Sequence, residues 1–271
     1  MKNLYISDLD GTLLRSDART SEYTNRTINA LVERGMLFSY ATARSYLTAC
    51  KVTAGLRTDI PLVVYNGAAL VDGRDGTPCL KNFFGPEIGE VLEDLAAKGV
   101  YPIVYAYLEG REKFSYVPSL CTPGMTRFLE SRRGDPRTRR VADRKELCQG
   151  EIFYLTCIDE KEKLEPLYEK YKDGYHCVFQ TEIYTGDQWL EIMPPEASKS
   201  HAVIRLKKLL GCDRLVVFGD GKNDMDMFEI ADECYAVENA VPELKAMATA
   251  VIGGNDSDGV ARWLESNYYP R

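Results

Sequence analysis

Histidine is nearly missing from this chain: His176 and His201 are the only two in 271 residues. A histidine-built catalytic triad or zinc centre therefore has too few parts. Zinc and disulfide frameworks lack their usual cysteine signature as well, because none of the eight cysteines falls in C-x-x-C spacing. Several sit in apolar runs, such as Cys157 in LTCID and Cys177 in HCVF, which predicts buried, reduced thiols in a cytoplasmic protein. No apolar stretch approaches the ~18 residues of a membrane span. The single lysine and short apolar run at the N-terminus, broken by Asp8, do not make a signal peptide. Positive charge is also in deficit. A net charge of −7 argues against a general nucleic-acid binder, although a bound metal would still admit anionic substrates.

The length predicts about two domains. Residues 1–70 alternate strand and helix patterns. LYIS reads as a strand, SEYTNRTINALVERG as a helix capped by Ser21, MLFSYATAR as a second strand, RSYLTACKVTAGL as a second helix and PLVVYNGAAL as a third strand ending in an Asn-Gly turn. This β-α-β-α-β order predicts a parallel sheet with right-handed crossovers. The middle behaves differently. After the helix EIGEVLEDLAAKG come a hairpin turning at Glu109-Gly110, an Arg-rich stretch, the strand EIFYLTCID, the helix KEKLEPLYEKYKD and a second hairpin, HCVFQTEIYTGDQWLEIM. Hairpins with helices between them predict an inserted α+β unit with an antiparallel sheet. From Pro194 the first rhythm returns, with the helix SKSHAVIRLKKLLG (Ala202, Val203, Leu206, Leu209 and Leu210 on one stripe) and the strand RLVVF.

The informative stretch is MKNLYISDLDGTLL. Asp8 and Asp10 follow a buried-looking strand, where carboxylates repel each other and resist desolvation. Strand residues two apart face the same side, about 7 Å apart, so both can line one pocket. Gly11 then lets the chain turn. A second strand, LVVFGDGKND, ends in Asp220, Asn223 and Asp224. In a doubly wound sheet ligands bind at the carboxyl ends of strands, and two such ends bearing carboxylates can hold a hard cation such as magnesium. ATAR offers the Thr42 hydroxyl and nearby backbone amides. Lys199 adds a full charge to the positive end of its helix, which suits an anion such as phosphate.

DLDGTLL, ATAR, Lys199 and FGDGKND occur in the order of the four motifs of the haloacid dehalogenase-like hydrolase superfamily, which the chain resembles. The inserted unit, YNGAAL and the closing DSDGVARWLE are similar to its Cof-type phosphatases with a large α+β (type C2) cap. The resemblance implies a doubly wound, Rossmann-like α/β core at residues 1–83 and 189–271, and a cap at 84–188. It implies that Asp8 attacks phosphorus to form an aspartyl-phosphate and that Asp10 is the acid and base. Magnesium would be held by Asp8, the Asp10 carbonyl and Asp220. Thr42, Ala43, Lys199 and Asn223 would bind phosphate, and Asp224 would support the metal shell or Lys199. The substrate implied is a small phosphorylated metabolite, a sugar phosphate or phosphorylated cofactor, with no nucleic-acid or membrane partner. Oligomeric state is not legible. The family usually has Gly where this chain has Ala43, which raises the question of a positive φ there. Arg44 and Asn66 are further candidate substrate contacts.

Blander readings stand beside these. Asp8, Asp10 and Asp220 are also common turn and cap residues, and Asn66-Gly67 is an ordinary turn pair. The run RRGDPRTRR reads as solvated loop, Tyr101, Ile103, Tyr105 and Tyr107 as packing of the cap sheet, Met225 and Met227 as helix packing, and Asp226 as helix surface. Rival functions are a phosphosugar mutase on the same scaffold, a non-catalytic phospho-ligand sensor, and a D-x-D nucleotide-sugar transferase.

Overall fold

Leu4, Tyr5 and Ile6 are all buried, as a central strand covered on both faces requires. They belong to a computed structural model that describes residues 1–181 and 185–269. In chain order, Asn3–Ser7 (β1) runs into a tight turn at Leu9–Leu13. Then come Glu22–Glu33 (α1), Leu37–Tyr40 (β2), Tyr46–Val52 (α2), Leu62–Val64 (β3), Ala69–Val71 (β4) and Pro78–Lys81 (β5). The middle supplies Ile88–Ala97 (α3), Ile103–Leu108 (β6), Arg111–Tyr116 (β7), Pro123–Ser131 (α4), Thr138–Arg140 (β8), Glu151–Asp159 (β9), Lys161–Tyr171 (α5), His176–Thr181 (β10) and Gln188–Met193 (β11). The last part holds Lys199–Leu209 (α6), Arg214–Gly219 (β12), Met225–Ile230 (α7), Glu233–Val237 (β13), Pro242–Met247 (α8), Ala250–Ile252 (β14) and Gly259–Asn267 (α9).

The chain divides into two compact units, Met1–Lys81 with Ala197–Arg271, and Asn82–Glu196. The first is built on a parallel sheet of order β14-β13-β12-β1-β2. From β1 the chain moves outward one way to β2. From β12 it moves the other way to β13 and β14. This reversal is a topological switch point, and it opens the crevice at the carboxyl ends of β1 and β12. Right-handed crossovers in opposite directions put helices on both faces. The fold is thus the expected Rossmann-like α/β core with an inserted α+β unit.

Three local expectations change. PLVVYNGAAL is two antiparallel strands, β3 and β4, and β3 joins the parallel sheet only through the bridge Ala41–Val63. The chain reverses there because Tyr65, Asn66 and Gly67 all take positive φ (52°, 50° and 94°). The boundary read at 188/189 would cut β11 away from its sheet. All six of its residues pair with β10 and five with β9, so the division falls at 196/197, and the earlier crossing at 81/82. Leu209, at the margin of the α6 stripe, is 64 % exposed, whereas Ala202, Val203 and Leu206 are buried.

The second unit carries the sheet β10-β11-β9-β6-β7-β8, antiparallel except between β7 and β8. Its first hairpin turns at Glu109-Gly110 with φ of 49° and 75°, the conformation that matches strand twist. Residues 182–184 of the second lie outside the described residues. One face packs Val104, Ala106, Leu155, Cys157, Leu190 and Ile192 against α3 and α5 residues including Val91, Leu95, Leu164 and Leu167. Tyr105 and Tyr107 meet Phe114, Phe153 and Tyr154 ring to ring, as packing residues. The arginine run is only partly loop. Its second half forms the edge strand β8, and buried Arg137 forks onto Asp135 and reaches Glu112 at 2.6 Å. Of the eight free cysteines only Cys157 and Cys234 are buried, while Cys79 and Cys148 are exposed. No helix of the described residues is long and apolar enough to cross a membrane.

Gly67 is doubly required. Its φ is +94°, and a Cβ there would stand 2.0 Å from the Ser198 carbonyl oxygen. Gly67→Ala is expected to destabilise the protein by about 2 kcal/mol or more, read as a lowered Tm in thermal unfolding.

Candidate active site

The parallel ladder runs one residue past β1: the Asp8 amide donates to the Phe218 carbonyl at 2.9 Å, which fixes Asp8 beside the end of β12. The chain then leaves the strand through angles no helix has, at Asp10 (φ −72°, ψ 120°) and Gly11 (φ 77°). A Cβ on Gly11 would lie 2.3 Å from Asp220 Oδ2, so glycine is needed for space as well as for angle. Thr12 closes the turn by donating from Oγ1 to Asp220 Oδ1 at 2.8 Å.

Lys199 is the first residue of α6, which Ser198 caps by accepting the His201 amide at 3.1 Å. Its side chain is 1 % exposed, and Nζ donates to Asp8 Oδ1 at 2.6 Å and Asp224 Oδ1 at 2.7 Å. Asp224 is fully buried. Its other oxygen accepts the amides of Asp220 and Gly221, both at 3.1 Å. Ligand oxygens of Asp8, Asp220 and Asp224 all lie within 4.8 Å of one another.

Three carboxylates face one ammonium, so two negative charges stay uncompensated. Burial, followed by the neighbouring Asp224, pushes the Asp220 carboxyl up to about 7. Asp8 is also raised, by burial against the pull of Lys199, with Asp224, Asp220 and Asp10 adding to the rise. Burial lowers Lys199, but Asp224 and Asp8 outweigh it and keep it protonated. Such a donor set fits a divalent, oxygen-preferring cation. Asp8 and Asp220 suit direct ligation, because both Asp224 oxygens are already occupied.

The remaining candidates form a second group. Arg44 forks onto Asp10, Nε to Oδ2 at 2.7 Å and Nη2 to Oδ1 at 2.6 Å, so the Asp10 carboxylate lies outside the acidic triad. Thr42 is buried. Its Oγ1 accepts the Arg44 amide at 3.1 Å, which leaves the hydroxyl proton to donate elsewhere. Ala43 is not among the positive-φ residues, so alanine carries no backbone strain there. Asn66 is buried in its left-handed turn, with its amide on the Thr42 carbonyl at 2.9 Å. Asn223 sits half-buried in the turn Lys222–Asp224. Asp226 is not helix surface, because Oδ2 accepts the Ser200 amide of α6 at 3.1 Å.

Sequence reasoning passed over two contacts. Thr12 lay within the quoted DGTLL, but its partner is 208 residues away. Arg44 was read as a substrate contact, and nothing local points to Asp10, 34 residues earlier.

A crevice at a switch point, with carboxylates at two strand ends around a buried lysine, is the arrangement of an α/β fold with an inserted unit. Residues 5–264 match the haloacid dehalogenase-like hydrolase family. The chain belongs to that family. It is 28% identical to the 5-amino-6-(5-phospho-D-ribitylamino)uracil phosphatase YwtE of Bacillus subtilis, across 95% of each chain. It is 25% identical to a second 5-amino-6-(5-phospho-D-ribitylamino)uracil phosphatase of that organism, YitU, across 96% of each chain. A crystal structure of a Thermotoga maritima protein matches 99% of this chain and 98% of its own, with a TM-score of 0.78 and 26% identity.

Lys199→Met is expected to leave two buried carboxylates without their cation and to cost about 3–5 kcal/mol, measured by urea unfolding. A carboxyl raised from about 3.9 in the unfolded chain to about 7 in the folded one favours folding fully below the lower value. That contribution is lost as pH rises through the interval. A divalent cation offsets the loss but competes with protons at low pH. Magnesium is therefore expected to raise Tm more at pH 8 than at pH 5, by scanning calorimetry.

Proposed function

We propose that the protein is a magnesium-dependent phosphatase that hydrolyses a small phosphorylated metabolite through an aspartyl-phosphate on Asp8. The observation that carries this is the convergence of Lys199 Nζ on Asp8 and Asp224, with Asp220 completing an acidic triad. Asp8 Oδ1 faces the ammonium, and Oδ2 is the oxygen assigned to attack phosphorus. As that bond forms, the bond from phosphorus to the leaving oxygen breaks, and Asp10 gives its proton to the departing alkoxide. Water then attacks the same phosphorus, Asp10 takes the water's proton, and the Asp8–phosphorus bond breaks to release inorganic phosphate.

Arg44 orients Asp10 by its two-point grip. The Thr42 hydroxyl, the backbone amides around Ala43 and Asn223 are assigned to the phosphoryl oxygens, with Lys199 neutralising charge on them. Asp8, Asp220 and the Asp10 carbonyl would hold magnesium, with Asp224 in support. The cation supplies charge neutralisation between a carboxylate nucleophile and a phosphate dianion.

Two relatives named for a phosphoribitylaminouracil support a sugar or polyol phosphate, or a phosphorylated cofactor precursor, as the substrate class. The inserted unit is assigned the choice of leaving group. Unpaired thiols and the lack of a membrane helix among the described residues are in keeping with a cytoplasmic setting.

The test is phosphate release from a panel of phosphorylated metabolites that includes 5-amino-6-(5-phosphoribitylamino)uracil, with magnesium and with chelator. Magnesium-dependent release without any sugar acceptor is the expected result, and its absence across the panel would overturn the reading. Asp10→Asn is expected to lower kcat by about 10²–10⁴-fold in steady-state assays of the best substrate.

A further inference from the structure

The turn that carries Asp10 is gripped from behind. Asn239, after β13, donates from Nδ2 to the Gly11 carbonyl at 2.7 Å. Asn255, after β14, donates from Nδ2 to the Leu14 carbonyl at 3.0 Å. The two asparagines are joined, since the Asn255 amide donates to Asn239 Oδ1 at 3.1 Å. The same loop continues the grip. Asp256 accepts the Ser16 amide at 2.8 Å and its hydroxyl at 2.6 Å. Buried Asp258 takes Arg15 in a fork and also the hydroxyls of Ser21 and Thr24, at 2.7 and 3.1 Å. The loop is tied to itself, because the Gly254 carbonyl accepts from Ser257 N, Ser257 Oγ and Gly259 N.

Residues 11, 14, 15 and 16 are thus held by residues 239, 255, 258 and 256. On its other side the turn touches Asp220, through the Thr12 hydroxyl at 2.8 Å and through the space kept by Gly11. The turn is thus tied at two places, by the asparagine bonds to its carbonyls and by the Thr12 bond to Asp220.

We propose that Asn239 and Asn255 are positioning residues that act through the Leu9–Leu13 turn to fix Asp220 for cation binding and Asp10 for proton transfer. The inference rests on the phosphatase reading but concerns residues whose side chains bond to the backbone of the turn and lie outside the acidic triad. A purely structural role would lower Tm and leave the cation site as it is. A positioning role ties the asparagines energetically to Thr12.

The experiment is a double-mutant cycle of Asn239→Leu and Thr12→Val, read by Mn²⁺ binding from the electron paramagnetic resonance of free Mn²⁺, with kcat and KM measured alongside. Asn239→Leu is expected to weaken Mn²⁺ binding about fivefold or more and to lower kcat about tenfold with KM for the phosphate ester little changed. In the double variant its effect on Mn²⁺ binding should shrink to less than half, as expected for residues acting through one element. Additive effects, or Mn²⁺ binding and kcat within twofold of the parent in a folded variant, would overturn the proposal. Asn255→Leu carries the same cycle should Asn239→Leu not fold. A parent protein that binds Mn²⁺ and hydrolyses phosphate esters while the cycle is additive sinks only this inference. One that does neither sinks the phosphatase reading with it.

Discussion

One ammonium group organises the first unit. Lys199 is out of water, 2.6 Å from Asp8 and 2.7 Å from Asp224. A buried ion cluster is a poor source of stability on its own, because desolvation consumes most of its Coulomb energy. Its value here is geometric. It ties the start of α6 to the ends of β1 and β12, and it sets Asp8 beside the acid that anchors two amides of the neighbouring turn. Two negative charges are left over, and that imbalance is what makes the crevice receptive to a divalent ion. An arrangement neutral by itself would have no such appetite.

Much of this was legible in the sequence because the reactive groups travel with their own turns. Asp8, Asp10, Gly11 and Thr12 fall within five consecutive positions, and Asp220 to Asp224 span another five, each straight after an apolar strand. The left-handed turn at Gly11 was readable from the residue alone. Lys199 was different: only the order of four motifs raised it above a solvated helix start, since no local signal marks a lysine for burial. The grip of Arg44 on Asp10 was not readable, because it depends on how far the ends of β1 and β2 are offset in space.

The misread elements share one cause. Local pattern identifies a strand but not its neighbours. In PLVVYNGAAL the Asn-Gly turn was legible, but not that three successive positive φ values would fold the residues after it back onto the strand before it. Gln188–Met193 reads as the second arm of a hairpin, and its pairing with β9 and β10 agrees; only the boundary implied at 188/189 cut it from that sheet. In the arginine run, composition suggested solvent, whereas β7 had a free edge that Thr138–Arg140 could line. Charged side chains on that last strand also discourage further pairing by a second chain.

The order of the parallel sheet has a consequence for biosynthesis. Asp8 is translated before its neighbour β12, its counter-ion Lys199 and both other acids, which all follow the 115-residue insertion Asn82–Glu196. Until that insertion has been translated, β1 has only β2 beside it, and its other edge is open. The inserted unit has its own sheet and apolar core and can complete itself in that interval, since domains generally fold as units during synthesis. The acidic triad and its lysine therefore assemble only after the insertion has been made, and until then the β12-facing edge of β1 is unpaired.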